Sequence, residues 1–432
     1  MGNPPDSNEG ELLERAAQYL PGTSAWMWSL PPELNFIVER GEGSRLYDTR
    51  GRAYVDYVMG SGPLLLGHAH PAVVRAVQAQ VAKGSTYFWL SEPTVRLAEL
   101  ICQAVPCGEK VRFVSTGTEA TMFAIRMARV FTRREKVLKF EGGWHGLHDY
   151  AMIGNWRTGE VPYPTPVPDI GGIPKGTMGS VLIAPFNDLA TTEDILSRYG
   201  QEIAAVIVEP LQRAIPPAPG FLAGLRDLTR RQGIVLIFDE VVTGFRLAYG
   251  GAQEFYGVVP DLATYGKALT CGFALGAICG RADLMETADP KRKGTLEYAC
   301  LSGTLSGNPL ASAAGIAALG ELRKPGVYDR LAALGRALRD GMAAIAARQG
   351  VPMQALGEGP IAQPFFLDPG RRIATDRDLR EADGKRATRL GHELIRRGIF
   401  VVPGAKMYLS LAHSDADIQA TLAAFADSLK AT

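Results

Sequence analysis

Short apolar strands that alternate with amphipathic helices constrain the fold of this chain more than any other feature. The apolar runs are VRFV, VLKF, VLIA, AAVIVE, IVLIFD and ALGAICG, which end at residues 114, 140, 184, 209, 239 and 280. Strands that are apolar along their whole length need cover on both faces, and helices give that cover in mainly parallel sheets. The pattern therefore predicts an α/β fold built on a mainly parallel sheet.

The two ends of the chain predict a second, smaller α/β domain. Residues 45–57 have the pattern of a β-hairpin, and a helix with Ser414 at its N-cap closes the chain. We expect residues 1–60 and 326–432 to form this small domain together. Residues 61–325 are then the large domain that holds the sheet.

Charge, cysteines and hydropathy exclude several classes of protein. The 46 Lys and Arg residues nearly balance the 45 Asp and Glu residues, for a net charge of +1, which predicts neither nucleic acid nor a membrane surface as a partner. The five cysteines have no metal-site spacing, so we expect buried thiols and no metal. The N-terminal residues lack the features of a secretory signal, and no apolar run is long enough for a membrane span. We therefore expect a cytoplasmic protein with small-molecule partners.

The segment from Thr116 to Ala120 has two interpretations. It follows a predicted strand and opens a predicted helix, so its free backbone N–H groups could bind a phosphate. Alternatively, Thr116 and Glu119 form an ordinary capping box that only closes the helix end.

Two polar residues, Asp239 and Lys267, come directly after predicted strands. The carboxyl edge of an open α/β sheet is where ligands bind, so the Asp239 carboxylate could pair there with a protonated ring nitrogen. A lysine buried in the same crevice loses its proton more easily, and a neutral amine is the form that attacks an aldehyde. The alternatives are a helix-capping Asp239 and a solvated surface Lys267.

Taken in order, these segments and several others resemble the class III aminotransferases. The matching strings are STGTEA, EGGWHG, VEP, DEVVTGFR, the Gly-Lys pair at 266–267 and GTLSGNP. The chain is most similar to the glutamate-1-semialdehyde aminomutases and to the β-amino-acid (β-phenylalanine-type) aminotransferases. The resemblance implies the fold type I of pyridoxal 5'-phosphate (PLP) enzymes, with a seven-stranded sheet in the large domain.

The resemblance also implies the central roles at the cofactor. Lys267 would hold PLP as a Schiff base and move the proton during catalysis. Asp239 would keep the ring nitrogen protonated, which makes the ring an electron sink. The turn formed by Thr116, Gly117 and Thr118 would hold the phosphate.

Further residues around the cofactor have roles that follow from the resemblance alone. Trp144 would stack on one face of the ring, where the family usually has Tyr, and Val241 would pack on the other. His145 and Glu209 would support the site. In this family the Thr of GTLSGNP reaches the phosphate of the neighbouring subunit, so Thr304 implies a homodimer with shared active sites.

Departures from the family pattern bear on the reaction. The aminomutases have an Arg shortly after an N-terminal Pro-Gly, whereas residues 21–28 here read PGTSAWMW. They also have a gating Glu before their SLAH string, whereas residues 403–410 here are PGAKMYLS, without an acid. We therefore predict a ping-pong aminotransferase that moves an amino group from an amino acid or amine to a 2-oxo acid. The alternatives are a 2,1-aminomutase and a catalytically silent PLP-binding protein.

Substrate contacts are predicted at four residues. The β-amino-acid branch binds the substrate carboxylate with an Arg at the position of Arg40, which could instead be a surface residue of a hairpin. That branch also has an Arg after the Pro that matches Pro403; Gly404 stands there, and Arg213 is a candidate replacement. Trp28 and Trp89 lie in aromatic segments that predict either an apolar substrate pocket or core packing.

Overall fold

The computed structural model describes residues 9–156 and 161–432. Its α-helices, in chain order α1 to α13, are Glu9–Tyr19, Pro71–Val81, Glu92–Ala104, Gly117–Thr132, Lys175–Met178, Leu189–Tyr199, Phe221–Gln232, Gly251–Tyr256, Ala282–Met285, Pro309–Leu322, Val327–Arg348, Gly384–Arg396 and Asp415–Lys430. Its strands, β1 to β14, are Val38–Glu42, Arg45–Asp48, Ala53–Asp56, Lys110–Val114, Lys136–Phe140, Val181–Ala184, Ile203–Val208, Val235–Asp239, Leu262–Tyr265, Gly276–Gly280, Gln354–Leu356, Ile361–Phe365, Ile399–Phe400 and Met407–Tyr408. Short 3-10 helices cover Pro21–Thr23, Pro32–Leu34, Lys267–Leu269, Glu286–Ala288, Pro290–Arg292 and Asp376–Glu381.

Seven strands form the central sheet, in the order β4-β10-β9-β8-β7-β5-β6. Strand β10 runs antiparallel to both of its neighbours, and the other pairs of neighbouring strands are parallel. This confirms the predicted mainly parallel sheet of seven strands. The apolar run at residues 274–280 predicted a strand there but carried no information on its direction.

Burial explains why the central strands are apolar throughout. All six residues of β7 are buried, as are all five of β8. Helix α4 packs against several strands of the sheet and buries seven residues of its own, including Phe123 and Met127. A strand covered by helices on both faces has no solvent side, so alternation of polar and apolar residues would cost buried polar groups.

A second hydrophobic core combines residues from both ends of the described chain. The hairpin of β2 and β3 joins β1 and the distant β13 in a four-stranded sheet. Its buried Tyr54 packs in one cluster with Leu338, Leu394 and Phe425. The predicted boundaries of the small domain stay a prediction, and its residues 1–8 lie outside the described residues.

No helix in the described ranges is both long enough and apolar enough to cross a membrane.

Candidate active site

The central sheet brings the predicted site residues to one edge. Strands β5, β7, β8 and β9 are parallel, and β4 has the same direction because it and β9 both pair antiparallel with β10. Asp239 ends strand β8, and the residues that follow the carboxyl ends of the other four strands are Thr116, His145, Glu209 and Lys267. The carboxyl edge of such a sheet is the usual position of a ligand site.

The turn after β4 forms a helix N-terminus with a capping box. The Thr116 hydroxyl accepts a hydrogen bond from Glu119 N at 3.1 Å, and the Glu119 carboxylate accepts one from Thr116 N at 3.2 Å. Helix α4 then runs for 16 residues from Gly117, so its dipole directs positive potential at this turn. The capping interpretation is therefore correct, and it leaves the anion-binding potential of the helix end in place.

Close packing joins the anion turn to the segments that carry Asp239 and Lys267. A Cβ atom on Gly117 would lie 2.9 Å from Val241 Cγ1, which is too close for a normal contact. A Cβ on Gly266 would lie 3.5 Å from the same methyl group and 3.9 Å from the Gly117 Cα. Three segments far apart in sequence therefore meet at Val241.

The Asp239 carboxylate is buried and held from several sides. Its Oδ2 lies 2.8 Å from His145 Nδ1, and its Oδ1 accepts hydrogen bonds from Thr264 Oγ1 and Val241 N, each at 3.1 Å. Asp239 does not cap a helix, because the next helix, α8, begins only at Gly251. A carboxylate oriented in this way is suited to pair with a buried cationic ring nitrogen.

The segment after β5 is fixed against the segment after β7. Glu209 Oε2 accepts a hydrogen bond from Trp144 N at 2.8 Å. The Nε2 atom of the buried His145 has no hydrogen-bond partner among the described residues. The half-buried Trp144 ring lies 5.6 Å from the Trp156 ring, tilted by 38°. Backbone anchoring by Glu209 therefore sets where Trp144 and His145 lie relative to Asp239.

Lys267 follows β9 directly and adopts a left-handed backbone conformation, with φ at 45°. Burial lowers the pKa of its amine; Tyr408 opposes this shift, and the charge of Lys406 adds to it. Its amine makes no hydrogen bond or ion pair with any residue that the structure describes. A buried amine that loses its proton easily is what a lysine nucleophile needs.

Arg40 lies on strand β1, away from the contacts described so far. Its guanidinium pairs with Glu42 at 2.7 Å and lies over the Tyr47 ring, 3.6 Å from the centroid. About half of the side chain is exposed to solvent. These contacts fit the hairpin interpretation, and the substrate role of Arg40 stays a prediction.

Arg213 and a lysine that the sequence analysis did not single out, Lys406, lie near each other. Burial lowers the pKa of Lys406. The charges of Arg213 and Arg246 lower this pKa further, and those of Glu209 and Asp239 raise it. The signal that could have revealed Lys406 was the departure of residues 403–410 from the family pattern. Its burial and its neighbours follow from tertiary packing alone.

The two predicted aromatic contacts are not part of the core of this chain. The Trp28 side chain is 50% exposed and that of Trp89 is 84% exposed, so the core-packing alternative is wrong for both. Thr304 is also exposed, and its carbonyl oxygen accepts a hydrogen bond from Thr86. Their roles at a substrate pocket and toward a neighbouring subunit stay predictions.

Comparison with known families decides what this site belongs to. A model of the family described as aminotransferase class-III matches residues 30–377. The chain belongs to the class III aminotransferases. These are PLP-dependent enzymes, and the buried Lys267 amine, the held Asp239 carboxylate and the α4 N-terminus fit an aldehyde, a ring nitrogen and a phosphate.

Relatives of this class III enzyme include mutases and transaminases. A protein of Desulforudis audaxviator named glutamate-1-semialdehyde 2,1-aminomutase is 44% identical over 89% of this chain and 88% of its own length. An omega-transaminase structure from Sphaerobacter thermophilus has a TM-score of 0.92 and 36% identity, covering 99% of this chain and 98% of the other. A beta-phenylalanine aminotransferase structure from Variovorax paradoxus has a TM-score of 0.86 and 33% identity, covering 98% and 94%.

Proposed function

We propose that this PLP-dependent enzyme is an aminotransferase that moves an amino group from an amino acid, including a β-amino acid, or an amine to a 2-oxo acid. The two substrates would use one site in turn, in a ping-pong mechanism. The observation that carries the proposal is the unpaired, buried Lys406 in the stretch where the aminomutases have their gating acid. A cation at that point favours binding of the carboxylate of an acid substrate over the role of a gating acid.

The residues of this chain would divide the work as follows. When bound, PLP supplies an aldehyde and a ring that withdraws electrons. Lys267 would hold the cofactor through its amine, take the proton that the donor carbon loses and, in the second half of the cycle, deliver a proton to the acceptor carbon. Asp239 would keep the ring nitrogen protonated, since its Oδ1 and Oδ2 are already oriented by Thr264 and His145.

Binding of the cofactor would rest on the helix end and on two flanking side chains. The turn of Thr116, Gly117 and Thr118 would hold the phosphate, with the backbone N–H groups of Gly117 and Thr118 as donors, because that of Thr116 is donated to Glu119. Trp144 and Val241 would cover the two faces of the ring. Because Val241 touches the Gly117 turn, ring and phosphate would be positioned by the same packed unit.

A 2,1-aminomutase is the second candidate, and sequence similarity favours it. The protein of Desulforudis audaxviator, at 44% identity, is named as one. A mutase returns the amino group to the molecule that donated it, so it needs no separate acceptor. The absence of an acid in residues 403–410 and of an Arg in residues 21–28 argues for transfer between two molecules.

The experiment that tests the proposal uses the purified holoenzyme and a panel of amino donors. With donor alone, the visible absorbance of the cofactor should be lost and one equivalent of free oxo product should appear. Addition of pyruvate or 2-oxoglutarate should restore the absorbance and form the new amino acid. Conversion of glutamate-1-semialdehyde to its isomer, at a rate that no 2-oxo acid changes, would instead identify the mutase.

We further propose a cytoplasmic homodimer that shares its active sites. The exposed Thr304 and the exposed aromatic side chains of Trp26 and Trp89 support an interface, because apolar patches of this kind rarely stay uncovered. Light scattering after gel filtration should give twice the mass of the 46.4 kDa chain. A monomer that is fully active would refute the shared site.

A further inference from the structure

Lys406 is a buried cation without a partner. Its side chain is only 9% exposed, and its ammonium forms no hydrogen bond or ion pair within residues 9–156 and 161–432. Its Nζ lies 5.7 Å from the centroid of the Tyr408 ring. Burying an ammonium without a counter-charge is costly, so such a group is rare unless a ligand supplies the anion.

The charged groups around Lys406 are two cations, Arg213 and Arg246, and two carboxylates, Glu209 and Asp239. The guanidinium of Arg213 also makes no ion pair with a described residue. Besides burial, the charges of Arg213 and Arg246 lower the pKa of Lys406. Arg246 is fully buried, and its Cζ lies 5.3 Å from the same Tyr408 ring. Of the two carboxylates that act on Lys406, Asp239 is held by His145 and Glu209 by Trp144 N, and a third carboxylate, Asp376, lies near Arg213.

The cluster is connected to the reacting lysine. The charges of Tyr408, Lys406, Asp239 and Arg246 all act on the Lys267 amine, so these side chains lie around it. The two unpaired cations, Lys406 and Arg213, are contributed by the turn before β14 and the loop after β7. The charge of Lys406 acts on Lys267, and that of Arg213 acts on Lys406.

From this geometry we infer that Lys406 and Arg213 together bind the carboxylate of the acid substrate, whether amino acid or 2-oxo acid. The inference rests on the proposed transaminase function and names the residues that recognise its acid substrates. The Lys406 ammonium would donate to one carboxylate oxygen, and the guanidinium of Arg213 to the other. Arg40, which is half-exposed and paired with Glu42, would then have no part in carboxylate binding.

The test separates binding of the carboxylate from reaction of the amine. The first probe is 3-phenylpropanoate, which has a carboxylate but no amino group, titrated into the holoenzyme by calorimetry. The second is a pair of donors, β-phenylalanine and 1-phenylethylamine, which differ by the carboxylate alone. For each donor, the half-reaction without acceptor gives a rate and an apparent Kd.

Lys406→Met should weaken the binding of 3-phenylpropanoate and β-phenylalanine by about 10- to 100-fold, the range for loss of a charged hydrogen bond. The Kd for 1-phenylethylamine, which has no carboxylate, should stay unchanged. Lys406→Arg should restore most of the affinity, and Arg213→Met, at a partly exposed residue, should show the same split. The matched control is Lys385→Met, an exposed lysine on α12, which should change none of these values.

Two results would overturn the inference. One is unchanged 3-phenylpropanoate binding in both Lys406→Met and Arg213→Met. The other is an equal loss for acid and amine donors, which would make Lys406 structural. If the wild-type enzyme reacts with no donor, the transaminase proposal fails, and the calorimetric titration still decides the role of Lys406.

Discussion

Replacement of Asp239 by Asn tests the electrostatic centre of the site with little change of shape. The Asn Oδ1 can still accept hydrogen bonds from Val241 N and Thr264 Oγ1, which are 3.1 Å from Asp239 Oδ1. The new amide can donate to His145 Nδ1, since the histidine can carry its proton on Nε2, which has no partner among the described residues. The substitution therefore removes one negative charge and preserves the local hydrogen bonds.

The expected effect follows from the loss of that charge. Without it, the ring nitrogen loses the proton that Asp239 would hold there, and the electron sink weakens. Loss of one preorganised electrostatic group costs about 100- to 1000-fold in rate, or about 2.7–4 kcal/mol. We therefore expect kcat in Asp239→Asn to fall by at least about 100-fold.

The assay is the single-turnover half-reaction with a good donor, measured at full cofactor occupancy. Occupancy is checked by absorbance and folding by thermal unfolding, so that loss of PLP is not mistaken for loss of chemistry. Asp188→Asn is the matched control, because Asp188 caps α6 through Thr191 N and Asn caps equally well. Near-normal turnover of a fully loaded Asp239→Asn enzyme would refute the role.

Three further predictions concern the other charged residues. Lys267→Ala should abolish turnover, because the buried amine that would hold the cofactor is lost. Peptide mapping after borohydride reduction checks this, and a cofactor attached to a different lysine would show the assignment to be wrong. If Arg40 binds the substrate carboxylate, as the family resemblance predicts, Arg40→Ala should raise the KM for amino acids steeply and leave that for amines unaffected. Unchanged kinetics with amino acids would instead agree with Lys406 and Arg213 as the carboxylate site. Equal losses with amino acids and amines would mark Arg40 as a structural residue. Carboxylate binding should also depend on pH, because burial, followed by the charges of Arg213 and Arg246, lowers the pKa of Lys406 to about 7, against the opposing Glu209 and Asp239. The ammonium is the binding form, so affinity for 3-phenylpropanoate should be constant below pH 7 and fall about tenfold per unit above it; the same decrease in Lys406→Met would contradict this.

Local patterns in the sequence were enough to predict the frame of the site. Six of the seven strands of the central sheet could be read from apolar runs, because burial on both faces favours apolar residues in them. Asp239 and Lys267 could be assigned to one edge because the carboxyl ends of parallel strands lie together. The capping box of α4 was also predictable, since it depends on residues three apart.

Tertiary structure alone decided the contacts between distant segments. The pairing of His145 with Asp239, the burial of Lys406 and the exposure of Trp89 join or separate residues that no local period relates. The antiparallel direction of β10 was equally hidden, because a strand buried on both faces has the same apolar pattern in either direction. Periodicity in a sequence reports which side chains are buried, whereas the identity of their neighbours and the electrostatics that follow depend on how the whole chain packs.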